Sequence, residues 1–217
     1  MRVCFVTEGQ ADAFKVEESD NAEVIVFSFN GIKELNYKKE LKGETEELVK
    51  LGRLSGKTKS IVICGCVSDN YGTKKLSAII ADKGKIVGIA DMTGISPTDE
   101  YASGGGFKII STSIGKIGVL VGNDLFSPQA VKSMSLCEAD LIINVYKTVN
   151  DYKPSVVMRS YSVLYGVPIC VCAQNFSMAS CKGETLFSSP DGVHVHDITT
   201  KKSYREILSK QRGEAYE

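Results

Sequence analysis

The sequence predicts an α/β fold, and three observations carry that expectation. Short apolar runs of strand length recur along the 217 residues. A few longer stretches between them space their apolar residues as helices do. One segment, from Gly115 to Tyr146, reads as strand, tight elbow, helix and strand in unbroken succession.

Taken in order, strand-like runs occupy residues 3–6 and 23–29, and the stretch between them is too polar and too short for a full amphipathic helix. Residues 38–57 carry Leu41, Leu48, Leu51 and Leu54 on one side and charges on the other, which predicts a helix. Strands are expected at 60–67, 76–81, 85–92 and 108–111. Ile117 to Val121 is continuously apolar, as in a strand covered on both faces. Gly122, Asn123 and Asp124 interrupt it. Pro128 then suits a first helical turn, and Ala130, Val131, Met134 and Cys137 recur near helical spacing. Leu141 to Val145 is a second buried strand. Residues 152–165 form a helix that stops before Gly166. Strands at 168–173, 184–188 and 192–197 follow, with a short helix at 204–211. No linker, repeat or long charge block divides the chain, so 1–217 reads as a single domain.

Composition excludes several function classes. Hydrophobic residues make up 43% and charged residues 24%, as in globular proteins. Lys plus Arg equals Asp plus Glu at 26 each, so no basic excess points to nucleic acid. No apolar run approaches a membrane span, and the N-terminus lacks the apolar core of a signal peptide, so a cytoplasmic protein is expected. Among seven cysteines, Cys64 with Cys66 and Cys170 with Cys172 have the spacing that puts both thiols on one strand face. A four-thiolate metal site aided by His194 and His196 is one reading. Zinc knuckles, however, favour turns with two intervening residues. Small buried hydrophobes in a reducing compartment fit better, with no metal and no cofactor expected. The two histidines read as solvent-facing strand residues.

An elbow between a buried strand and a helix is a common way to present a nucleophile. Here its residue is Gly122, which has no side chain. The segment resembles the nitrilase (carbon–nitrogen hydrolase) superfamily, whose run reads roughly G-x-I-G-v-x-I-C-Y-D-x-x-F-P, then a helix, then A-D-l-i. Gly115, Ile117, Gly118, Asp124, Pro128, Ala139 and Asp140 are shared with it. Three further segments resemble the same family in the same order: DKGKIVGIADMTGISPTDEYASGGGFKIISTSIGKIG, MRSYSVLYGVPICVCAQNF and GETLFSSPDGVHV. The resemblance implies a nitrilase-like αββα sandwich of two mixed β-sheets flanked by helices, with the first helix reduced or missing.

It also implies a chemistry. Family members attack a nitrile or amide carbon with a cysteine, assisted by a general-base glutamate and a charge-stabilising lysine. The corresponding positions here are Phe29, Met92 and Gly122, so all three are substituted. Glu100 matches a second, supporting glutamate, and Asp124 the aspartate after the nucleophile. Asp124 is expected to cap the following helix. Glu100, Asn123 and Asp124 would form a residual pocket, with Phe29 and Met92 filling part of the cavity. Ser127 lacks an evident histidine partner, which disfavours a serine triad. The implied function is a catalytically inactive binding or assembly subunit. The alternative is an amidase- or nitrilase-type hydrolase of non-peptide C–N bonds with a non-standard site. A homodimer through the helices from Gln129 to Cys137 and from Tyr152 to Tyr165 is implied; a third reading is a small-molecule sensor that uses the residual pocket around Glu100 and Asn123.

Overall fold

A computed structural model describes residues 1–32, 34–96 and 100–200. The apolar runs assemble into two mixed β-sheets packed face to face, with helices on both outer surfaces. The first sheet has the order β13-β1-β2-β4-β5-β6 and holds β1 (Arg2–Val6), β2 (Val24–Phe27), β4 (Ile61–Asn70), β5 (Thr73–Asp82), β6 (Lys85–Asp91) and β13 (Val193–Asp197). A short β3 (Glu34–Asn36) pairs with the far end of β4. The second sheet has the order β12-β11-β10-β9-β8-β7. Its strands are β7 (Lys108–Thr112), β8 (Gly115–Val121), β9 (Leu141–Val145), β10 (Ile169–Ala173), β11 (Phe176–Cys181) and β12 (Glu184–Ser189).

Strands paired in parallel lie at the centre of each sheet: β1, β2 and β4 in one, β8, β9 and β10 in the other. A parallel strand covered on both faces is buried along its length and largely apolar. Every residue of β2, β9 and β10 is buried accordingly. Between the sheets, Val26, Ile63 and Ile80 meet Val119, Ile143 and Cys170. Outside the first sheet, α1 (Tyr37–Leu41) and α2 (Glu47–Thr58) form a helical layer, with Leu51 and Leu54 packed in one cluster with Ile25 and Val62. Outside the second, α3 (Pro128–Leu136) and α4 (Lys153–Leu164) place Val131, Met134 and Met158 with Leu120, Ile142 and Ile169.

Polar contacts pin the sheets together at several points. The buried Asp82 at the end of β5 accepts from the Ser113 N–H at 2.7 Å and hydroxyl at 2.8 Å, in the β7–β8 turn. The Cys172 thiol donates to the Val26 carbonyl at 3.4 Å.

Several expectations change. Between β1 and β2 there is only a single 3-10 turn, Val16–Ser19, so the first helix is indeed reduced. The helix expected at 38–57 is two helices. The Glu40 carboxylate accepts from the Glu47 and Leu48 N–H groups at 2.9 and 3.3 Å, satisfying the start of α2 and ending the continuous run. Leu41 consequently points away from the core, 79% exposed. Strand β11 was not expected, because FSMASC lacks β-branched residues. It is held by ladders to β10 and β12 on its two sides. His194 and His196 do not simply face solvent. They are half-buried against Phe187 of the other sheet, with the His196 ring stacked at 3.9 Å between centroids. The helix expected at 204–211 lies outside the described residues. Among the described residues, no helix is long and apolar enough to cross a membrane.

The paired cysteines belong to different layers. Cys64 and Cys66 face the α2 side of the first sheet, while Cys170 and Cys172 face between the sheets. Four thiolates on one ion are therefore geometrically excluded for these two pairs. Burial, the main cause, pushes the Cys66 thiol up to about 12.

Ile143, fully buried at the centre of the inter-sheet core, tests this packing. Ile143→Ala should lower stability by about 2–5 kcal/mol in urea unfolding, with the m-value unchanged.

Candidate functional site

The site lies where the strand ends of the two sheets converge. β8 runs into a 3-10 turn, Gly122–Phe126, and Ser127 then caps α3 by accepting from the Ala130 N–H. Gly122 is buried with φ of +54°, a left-handed conformation that glycine adopts without the steric cost of a Cβ. Its surroundings are closed as well. A Cβ at Gly122 would lie 2.7 Å from the Met92 sulfur, so the Met92 side chain occupies the space above the elbow.

Met92 is the first residue after β6 and is 4% exposed. Its N–H donates to the Leu76 carbonyl and its own carbonyl accepts from Gly104, both at 2.8 Å. Phe29 is buried in the same inter-sheet core, over β4, where a Cβ on Gly65 would meet its ring at 2.9 Å. The structure thus brings Met92 and Gly122 into contact and places Phe29 in the same apolar cluster.

Asp124 has a different role from the one expected. Ser127, not Asp124, provides the side-chain cap of α3. The Asp124 carboxylate is 2% exposed and turns to the loop after β6. It accepts from the Thr93 N–H at 3.0 Å, the Thr93 hydroxyl at 2.7 Å and the Gly94 N–H at 2.7 Å. These charge-assisted bonds clamp the segment carrying Met92 onto the elbow. Glu100 is exposed.

Asn123 is exposed, and its Oδ1 accepts from the Tyr146 hydroxyl at 2.7 Å. Burial, with Asp151 adding to it, pushes the Tyr146 hydroxyl above its ordinary range. Beneath the elbow, Asn144 donates from Nδ2 to the Gly122 carbonyl at 3.3 Å. A cleft of about 260 Å³ opens beside Asn123 and Tyr146, bordered by Phe126, Thr148, Asp151 and Lys153. Tyr146 and Asn144 escape a reading of motifs, although both follow from topology: residues at the carboxyl ends of parallel strands border the crevice of open α/β sheets. Thr93 carries no sequence signal, because its partner is 31 residues away.

Two mixed sheets, their flanking helices and the elbow define an αββα sandwich of the nitrilase type. The chain belongs to the carbon–nitrogen hydrolase family, whose model matches residues 18–211. Solved structures share the fold. A carbon–nitrogen hydrolase from Helicobacter pylori G27 superposes with a TM-score of 0.75 at 18% identity, over 100% of this chain and 94% of that one. Nit3 of Saccharomyces cerevisiae, a nitrilase-superfamily member, gives 0.74 at 15%, over 97% and 93%. An amidase from Nesterenkonia sp. AN1, solved in complex with butyramide, gives 0.74 at 13%, over 100% and 97%. No curated protein sequence matches the chain.

The clamp is testable. Asp124→Asn removes a charged acceptor shared by three donors. It should cost about 2–4 kcal/mol of stability and accelerate hydrogen exchange at the Thr93 and Gly94 amides.

Proposed function

We propose that this carbon–nitrogen hydrolase family member is a catalytically inactive protein that works as a binding or assembly subunit. One observation carries the reading: the Met92 sulfur sits 2.7 Å from where a Cβ at Gly122 would be. In the family resemblance, these are the lysine and cysteine positions, and Phe29 takes the glutamate position. The reading therefore has neither a nucleophile, a base nor an electrophilic partner at the elbow, and apolar packing in their place.

Five of the seven thiols offer poor replacements. Cys4, Cys64, Cys66, Cys170 and Cys172 are buried, and burial raises the pKa of each, which withholds the reactive thiolate. All seven cysteines are free, which suits a reducing, cytoplasmic setting. The purified chain should show no turnover on a panel of amides, nitriles and carbamoyl compounds. Gly122→Cys alone should not create activity, because Met92 holds the space that the new side chain needs. Turnover by the unaltered chain, abolished by substituting Asn123 or Tyr146, would instead establish a hydrolase with a rebuilt site.

Assembly is expected through α3 and α4. The Ser135 hydroxyl donates to the Tyr165 carbonyl at 2.6 Å and joins the ends of these helices. Leu136 and Leu164 stand 64% and 60% exposed there, with Val156 at 49% further along α4. Exposed apolar clusters of this kind mark interaction surfaces. Light scattering at micromolar concentration should give a mass near twice 23.5 kDa, and Leu164→Asp should return it to the monomer value.

A further inference from the structure

A second and larger cleft, of about 620 Å³, lies between the N-terminal half of α4 and the β11–β12 hairpin. Its volume is within the ~300–1,000 Å³ typical of small-molecule sites. Phe176 supplies apolar surface, with the buried Met178 behind it, and Arg159, Thr185 and Ser188 supply polar groups. The guanidinium is held in place: Arg159 Nε donates to the Gly183 carbonyl at 2.8 Å. That bond spends one donor and leaves the two terminal nitrogens, the pair that matches a carboxylate. Among the described residues, no carboxylate forms an ion pair with Arg159. Asp151, also at this cleft, is paired with Lys153 at 3.0 Å, so its charge is already matched. Among the described residues, the Arg159 charge at this site is therefore without a carboxylate partner, beside an apolar surface.

We propose that this cleft binds a small carboxylate with an apolar body. The carboxylate sits on the Arg159 fork, the Thr185 and Ser188 hydroxyls donate beside it, and the body lies on Phe176, with Met178 behind it. The cleft adjoins the one beside the elbow, sharing Asp151 with it, but it contains no elbow residue, and the proposal does not depend on whether the elbow is inactive.

Phenylacetate is a suitable probe and phenylacetamide its neutral control, measured on the full chain by calorimetry and NMR. Phenylacetate should bind saturably, shift the amide resonances of Phe176, Met178 and Thr185, and bind about tenfold or more tighter than phenylacetamide. Arg159→Gln should lose about tenfold for the acid and little for the amide. Ser188→Tyr, a substitution at an exposed strand position, should block both compounds and provides the test if the Arg159 variant does not fold. Equal affinity for acid and amide, unchanged acid binding in Arg159→Gln or Ser188→Tyr, shifts clustered elsewhere, or no saturable binding at millimolar concentration would each overturn the proposal.

Discussion

The arrangement at the elbow depends on one buried carboxylate. Asp124 belongs to the turn after β8 in the second sheet, and its three donors belong to the loop after β6 in the first. A buried anion is costly unless charge-assisted hydrogen bonds compensate it. The sheets must therefore keep the register that brings Thr93 and Gly94 to it. That register also sets Met92 above Gly122. The same carboxylate thus organises the backbone of the site and the plug that fills it.

The space between the sheets is otherwise apolar, and apolar packing alone tolerates sliding. Directional contacts at the margins oppose this. Asp82 fixes the β7–β8 turn to the end of β5. At the opposite end, the Gln174 amide donates to Asn30 Oδ1 at 2.8 Å, while Asn30 Nδ2 and the Ser28 hydroxyl donate to the Thr7 carbonyl. These bonds link β10 to the ends of β1 and β2. Phe29 lies one residue before Asn30, so its ring is directed into the core by a backbone already held. Burying Phe29 and Met92 contributes roughly 1.5–3 kcal/mol each. A charged pair in their place would carry a desolvation cost of several kcal/mol per ion. Stability and an open catalytic pocket are thus opposed demands at this position, and the packing here serves stability.

Much of the fold was legible in the sequence because burial dictates pattern. The apolar runs of β2 and β10, and of β8 and β9 apart from Lys116 and Asn144, have the length and character of strands covered on both faces. Pro128 marked the first turn of α3, and the order of family-like segments implied two mixed sheets. The limits were local and physical. Strand β11 is built of small residues that no propensity favours, and it exists because β10 and β12 pair with it. The stretch at 38–57 carries helical spacing, yet the Glu40 carboxylate bonds to the Glu47 and Leu48 amides and divides it into two helices. A three-residue β3 leaves too short a pattern to be read at all.

At the site the division is sharper. Sequence by itself determined the residue types, Phe29, Met92 and Gly122, and so the absence of a side chain at the elbow. It also determined that Asp124 would follow two residues later. Only the tertiary structure decided what these residues touch. Met92 comes to Gly122 from 30 positions away in the chain, and Asp124 turns back to Thr93 rather than forward to α3, where Ser127 already provides the cap. Contacts across such separations depend on sheet register and on which donors arrive unsatisfied. Neither is encoded in the local pattern around any one of these residues.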